Sequence, residues 1–465
     1  MRQRKASGFD EDMSPQEKRT AMSLAGIYSV RMLGLFMVLP VFTLYGAELS
    51  GHTPFLIGLA IGIYGLTQAI LQIPFGMLSD RIGRKPVIFA GLVIFIIGSV
   101  IAAMSHSIYG VIVGRALQGA GAISSTVMAL AADLTRDEHR TKIMGSIGLS
   151  IGIAFSVALV AGPILNRLIG VDGIFWVTAV LGLVAIGIAL WAVPTPRDHK
   201  LHRDTEVVAD AFGDVLRDTQ LLRLDVGIFM MQFVLTANFV VLPVVLTHLT
   251  GIAAGDSWEL YLPVMLVAFI LMVPLIIIAE RRRKMKSMFL GAIAVLGLSE
   301  ILYLFSDHSV IEMMATLLIF FIAFNLLEAT LPSLVAKMAP STRKGTAMGV
   351  YSSSQFLGIF AGGAAGGAVY GHWGDSDAVF LMAMLGIGLW LVLASSMKSP
   401  RYLSSYVLHL EDKIAREEAS TAAALASIPG VAEVVVVAEE GVAYLKVDRK
   451  ALDESRLREF SPAST

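Results

Sequence analysis

The stretch Phe75–Pro86, FGMLSDRIGRKP, sets four charged side chains, Asp80, Arg81, Arg84 and Lys85, between two apolar runs, each of roughly the twenty residues that span a bilayer. So dense a polar turn between two such runs reads as the place where the chain leaves one membrane crossing and enters the next.

Composition supports that reading. Of 465 residues, 55% are hydrophobic and only 16% charged, against about 25% charged in soluble domains. Mean hydropathy is +0.72. So few charges cannot cover so much apolar surface in water, so most of the chain uses lipid as its solvent. A net charge of -1 argues against nucleic acid as a partner, and the lack of cysteine excludes disulfides, thiolate metal sites and cysteine nucleophiles. No metal site or cofactor is expected, and no enzyme-type catalytic set is read.

The N-terminal stretch is polar and of mixed charge, without a short apolar segment before a small-residue cleavage site, so a removable signal peptide is not expected. Ser14, Pro15 and Glu17 fit a helix start with a capping box. Apolar spans follow near 20–46, 55–79, 86–105, 108–132, 142–168 and 173–193, and again near 223–249, 258–280, 287–305, 310–336, 344–371 and 376–396. The expected fold is an all-α polytopic membrane protein with twelve transmembrane helices in two pseudo-symmetric six-helix bundles, plus a small soluble α+β domain. The divisions are a tail 1–19, a first bundle 20–193, a central loop 194–222, a second bundle 223–397 and a soluble segment 398–465.

Twelve crossings put both termini on one side. The short loops there carry Arg81, Arg84, Lys85, Arg136, Arg140, Lys142, Arg281, Arg282, Arg283, Lys284, Lys286, Lys337, Arg343 and Lys344, while the opposite short loops offer only Arg167. The positive-inside rule makes the termini cytoplasmic. The halves are also related in sequence. PFGMLSDRIGRKP from Pro74 aligns with PLIIIAERRRKMK from Pro274, and LAADLTRDEHRTKIMG from Leu130 with LVAKMAPSTRKGTAMG from Leu334. Such a duplication implies two bundles about a pseudo-two-fold axis, as in rocker-type transporters.

Asp80 ends the second span, where the helix dipole disfavours a carboxylate by up to about 1 kcal/mol, so it needs a partner. Arg84 across the Gly83 turn can serve, as can the N-terminus of another helix, for which Ser341–Thr342 before the eleventh span is the candidate. Gly76 would permit that helix to approach. Gly76, Asp80, Arg81, Gly83, Arg84 and Asp133 then form a conformational latch, the competing reading being that the basic residues only set topology and touch lipid phosphates.

These residues carry a resemblance. GMLSDRIGRKPVI matches the pattern that follows the second helix in the major facilitator superfamily; RALQGAGA, Arg115–Ala122, resembles its fourth-helix motif, and LGLFMVLPVF, Leu33–Phe42, the first-helix pattern of its drug:proton antiporters. In the fifth span GPILNRLIG keeps Gly162 and Pro163 of the antiporter motif but lacks the glycine pair that follows there. RMLGLFMVLP, KGTAMGVYSSSQFLG and the soluble tail look most like the YajR-type group, over nearly the whole chain. The resemblance implies alternating access around a central cavity, with Arg115 linked to proton coupling.

A charge at bilayer centre costs about 2.5 to 3.5 kcal/mol on insertion scales, so each needs a reason. Arg31 lies about mid-bilayer, facing the cavity or paired structurally. Glu328, beside Asn325 and before Pro332, is the deepest carboxylate of the second half. Loss of water favours the uncharged acid, as a reversible proton carrier requires, and a structural pairing competes with that role. Glu300 and Glu312 read as interfacial. Gln68, Gln72, Gln118, Gln232, Asn238, Asn325 and Gln355 are cavity candidates, although helix–helix contact is the commoner use of such residues.

After Lys398 the chain reads as β-α-β-β-α, most of a ferredoxin-like unit. IPGVAEVVVV resembles the heavy-metal-associated framework, but without cysteine the metal loop cannot form. An open sheet edge suits a partner, self-association or a short final strand. The expected function is secondary active transport of a small, amphipathic organic solute across the bacterial inner membrane, by proton-coupled efflux; proton-coupled uptake, an uncoupled facilitator, and a membrane receptor or scaffold signalling through the tail are the alternatives. No Gly-x4-Gly-Lys nucleotide loop is present.

Overall fold

The computed structural model describes residues 13–135, 137–194, 212–306, 309–340, 344–399, 404–410, 418–437, 442–448, 451–458 and 460. Helix α1, Pro15–Phe36, starts as its sequence dictates: the Ser14 hydroxyl accepts from Glu17 N at 3.1 Å, and the Glu17 carboxylate accepts from Ser14 N at 2.8 Å. The chain kinks before Pro40 and continues as α2, Leu39–Gly46, completing the first crossing.

The rest of the first bundle comprises α3 (Pro54–Ile82), α4 (Arg84–Ala103), α5 (Ile108–Ala120) with α6 (Ser124–Asp133), and α7 (Asp137–Gly187), in which Gly170 at φ +71° separates the fifth and sixth crossings. A short α8, Phe212–Arg217, lies in the central loop. The second bundle is α9 (Thr219–Thr250), α10 (Trp258–Arg281), α11 (Met285–Tyr303), α12 (Val310–Met338), α13 (Lys344–Trp373) and α14 (Ser376–Ser395). Nine helical stretches among the described residues are long and apolar enough to cross a membrane, and one of them, Ser146–Ala192, contains two crossings. The fourth crossing is broken at Gly121 and the eleventh is rich in Gly and Ser, which accounts for twelve.

The two bundles touch chiefly in the half of the membrane away from the termini. Pro243 has no N–H, so the carbonyl of Phe239 one turn earlier lacks its helical donor; it accepts instead from the Thr43 hydroxyl of the first bundle at 3.1 Å. Deeper, α3 and α13 pack backbone to backbone. A Cβ on Gly58 would stand 2.1 Å from the Gly363 carbonyl oxygen and 2.9 Å from Gly367 Cα, so no other residue fits that approach. Gln72 donates to Ser353 at 2.6 Å, Phe155 packs on Phe324 with ring centroids 5.4 Å apart, and Arg167 pairs with Asp256 at the far surface. Toward the terminal face the fifth crossing is loose: a Cβ on Gly148 or Gly152 would meet nothing within 4 Å.

The tail folds as β1 (Ser404–His409), α15 (Glu418–Ala426), β2 (Val431–Val437), β3 (Val442–Val447) and α16 (Glu454–Arg458), the order read from the sequence. β3 lies between β1 and β2, antiparallel to both. Leu408, Leu425, Ile428, Ala443, Leu445, Val447 and Leu457 form its own core. Buried Lys446 reaches Glu433 and donates to the Ala339 carbonyl at the C-terminus of α12, while Arg283 meets Asp448 at 3.3 Å. A lysine at a helix C-terminus is favoured by the dipole.

Two outcomes test this architecture. Gly58→Leu must force α3 and α13 apart, so spin labels on Tyr109→Cys and Phe305→Cys, far-face positions in a chain with no other cysteine, should report a longer distance than in the parent; an unchanged distance would show that the helices absorb the side chain. Truncation after Lys398 should leave the twelve crossings folded and monodisperse, because the tail's core shares no cluster with theirs.

Candidate functional site

In the middle of the first bundle two guanidinium groups share one tyrosine. Tyr64 and Gln68 are one turn apart on α3 and so face the same way. Arg31 of α1 donates to the Tyr64 hydroxyl at 3.0 Å and to Gln68 Oε1 at 2.6 Å, with its charge 5.7 Å from the Phe95 centroid. The Gln68 amide passes the network on to Ser124 at 3.0 Å. Arg115 lies against the Tyr64 ring at 5.3 Å and donates to Gln118 and to the carbonyls of Ala60 and Ile61; Gln118 in turn donates to Ser99. Both arginines are 1% exposed, and neither meets an acidic group among the described residues. Nε and Nη1 of Arg31 have no partner there.

The second bundle answers with carboxylates. Glu328 of α12 accepts from Gln232 on one oxygen at 3.1 Å and from Gln355 on the other at 3.3 Å, and it is only half-buried. Tyr28 of α1 lies near Arg31, Ser124 and Glu328. Arg31, Gln68, Tyr28, Glu328, Gln232 and Gln355 thus converge where the bundles part. Asn325 is buried beside them with its amide nitrogen unpartnered. Gln118 turns inward to Arg115, and Asn238 turns away to α11, where it donates to Glu300 at 2.8 Å. Glu300 is therefore no interfacial residue: it is fully enclosed, because α9 runs well past it. A cavity of about 410 Å³ at the far face is lined by Val241, His248, Tyr370 and Asp375.

The polar turn is a clamp inside the first bundle. Gly83, at φ +98°, ends α3 and starts α4. Arg84, 4% exposed, pairs with Asp80, donates to Asp133 Oδ2 at 3.1 Å and to the Ser79 hydroxyl at 2.8 Å. It ties the second, third and fourth crossings together. Arg81 is exposed. Among the described residues Gly76 faces Ser125 of α6, whose hydroxyl oxygen would lie 2.9 Å from an added Cβ. Ser341 and Thr342, expected to receive Asp80, lie outside the described residues.

The sequence reading passed over Tyr28, Tyr64 and Asp225. Tyr64 and Gln68 were legible as two polar residues one turn apart in an apolar span. Asp225, 4% exposed on α9 with Oδ2 unpartnered, lies two residues into the expected span 223–249.

Removing Arg84 should strand Asp133, whose side chain is 1% exposed. Breaking such a pair costs about 3 to 5 kcal/mol, so Arg84→Leu should unfold at much lower temperature in detergent, and Arg84→Leu/Asp133→Leu should recover part of the loss. Equal melting of the single and double variants would show that the two residues do not depend on each other.

Comparison with known proteins agrees with this arrangement. Residues 24–363 match the family model described as Major Facilitator Superfamily. The chain is 46% identical over 450 residues to the inner membrane transport protein YajR of Escherichia coli (strain K12), covering 97% of this chain and 98% of that one. It is 25% identical over 378 residues to the multidrug resistance protein MdtH of Cronobacter sakazakii, covering 78% and 90%. A bacterial homolog of the human lysosomal transporter Spinster, in an inward-facing and occupied conformation, superposes with a TM-score of 0.65 at 14% identity, over 83% of this chain and 96% of that one. With two six-helix bundles, a family match across both and a near full-length relative, the chain belongs to the major facilitator superfamily of membrane transporters.

Proposed function

We propose that this protein moves a small, amphipathic organic solute across the bacterial cytoplasmic membrane by alternating access, exporting it in exchange for protons, with both termini cytoplasmic. The observation that carries the reading is Glu328: half-buried, at the parting of the bundles, with an amide donor on each oxygen and Tyr28 and Arg31 across the gap. Both amides stabilise the carboxylate, and the partial exposure lets a proton reach it. With the terminal face open, the Glu328 carboxylate holds the solute's polar or basic end. A proton taken up from the far side removes that charge and releases the solute there, and loss of the proton toward the terminal face restores the carboxylate, so solute and proton cross in opposite directions.

The bundles meet toward the far face and part toward the terminal face, which under the proposed topology is the inward-open state. Gating would close the terminal face with the Arg84 clamp moving as one piece with the first bundle, and would open the Thr43–Phe239 and Gly58–Gly363 contacts. Arg115, enclosed against Tyr64, would act through that ring on Arg31 rather than touch solute. The relative named as a multidrug resistance protein supports an export reading.

The test uses vesicles loaded with a pH-sensitive dye and challenged with a panel of amphipathic organic cations and acids. Wild-type protein should move protons when a transported compound is added, and Glu328→Gln should lose that movement while still exchanging labelled compound. Proton movement at the wild-type level in Glu328→Gln would remove this residue from the mechanism; binding with no movement of any compound would favour a receptor.

A further inference from the structure

Glu300 stands three residues from the far end of α11, yet none of its surface is exposed. Its hydrogen-bond partner among the described residues is Asn238 of α9, which donates from Nδ2 to Oε1 at 2.8 Å. The second carboxyl oxygen, Oε2, and the amide oxygen of Asn238, Oδ1, are both buried and accept from no described residue. A carboxylate offers acceptors only, so no rotation of the two side chains can satisfy both oxygens. One added proton can. On Oε2 it gives an O–H that donates to Oδ1 while Nδ2 continues to donate to Oε1, the reciprocal pair that a carboxylic acid forms with a primary amide. We propose that Glu300 binds a proton and is held as a carboxylic acid by Asn238, a second proton site in this protein, separate from Glu328.

The contrast with Glu328 is chemical. That residue has an amide N–H on each oxygen, an arrangement suited to the charged form, whereas Glu300 has one donor and faces an empty acceptor. Nor, among the described residues, does a cation pair with Glu300. Tyr303, on α11 itself, lies near Glu300, and Tyr261 of α10 lies near Tyr303. At the same end of the bundle α9 carries His248, α10 Glu259, α12 Glu312 and α14 Asp377, and none of them bonds to Glu300. The fold does not require a polar group there, since the internal repeat that aligns Pro74 with Pro274 puts Val100 at the corresponding place in the first bundle.

The position gives the proton a consequence. Asn238 adjoins Phe239, whose carbonyl, freed by Pro243, takes the Thr43 hydroxyl of the opposite bundle. The acid–amide pair therefore anchors, from behind, the piece of α9 that helps close the far face. Loss of the proton to water would leave a carboxylate with an unmatched oxygen in an apolar enclosure and release that anchor. The proposal is independent of coupling at Glu328.

Infrared spectroscopy of the full chain in lipid decides it. In a D225N/E328Q background, which removes two other carboxyls of the second bundle, a carboxylic-acid C=O band should persist at neutral pH, vanish when E300Q is added, and shift without vanishing when N238A is added instead. Glutamine at 300 can donate from Nε2 to Oδ1 and keep the pair, so E300Q should hold its melting temperature as pH is raised into the alkaline range while the parent loses it. No acid band at neutral pH in the background protein, or a band untouched by E300Q, would overturn the proposal; the first of these readings needs no Glu300 variant to fold.

Discussion

A guanidinium group carries five N–H donors and does not give up its charge, and three of them are buried in the first bundle, at Arg31, Arg84 and Arg115. Much of that bundle follows from satisfying them. Arg84 gathers the ends of α3 and α6 around the start of α4. Arg115 takes two backbone carbonyls of α3 and holds α5 against it. Arg31 binds α1 to α3 through Tyr64 and Gln68. An aromatic face helps both mid-membrane arginines without neutralising them.

Charge is thereby sorted between the halves. Among the described residues, the spans of the first bundle enclose the cations Arg31 and Arg115, and those of the second hold the acids Asp225, Glu300 and Glu328. Yet the halves keep the same scaffold. The repeat that aligns Leu130 with Leu334 also aligns Ser124 with Glu328, and each accepts from a glutamine amide of its own bundle, Ser124 from Gln68 and Glu328 from Gln232. A hydroxyl on one side and a carboxyl on the other occupy matched positions, so only the second half carries a titratable group there.

The parts legible in the sequence were those set by local chemistry or by repetition. Ser14 and Glu17 encode their capping box, Asp80 and Arg84 stand one turn apart and pair, and spans of the right length and hydropathy became crossings. What stayed hidden depended on how helices rotate and overlap. Glu300 looked interfacial because linear distance from a span's end measures depth only when neighbouring helices stop at the same level, and α9 does not. Asn238 and Gln118 were placed by residue type on a cavity that neither faces, since a 3.6-residue period without a clear polar stripe leaves rotation open. Gly76 announced a close approach but not which helix would make it.

α12 holds Glu328 in mid-membrane, and its terminal-face end is tied through the Ala339 carbonyl to Lys446 of the soluble sheet. Between them stands Pro332, which withholds the N–H that the Glu328 carbonyl would otherwise take. The helix is thus a crank with one soft joint, gripped at its outer arm by a domain bathed in water. Whatever pushes on that domain turns the arm, and the joint decides how much of the turn reaches the carboxylate.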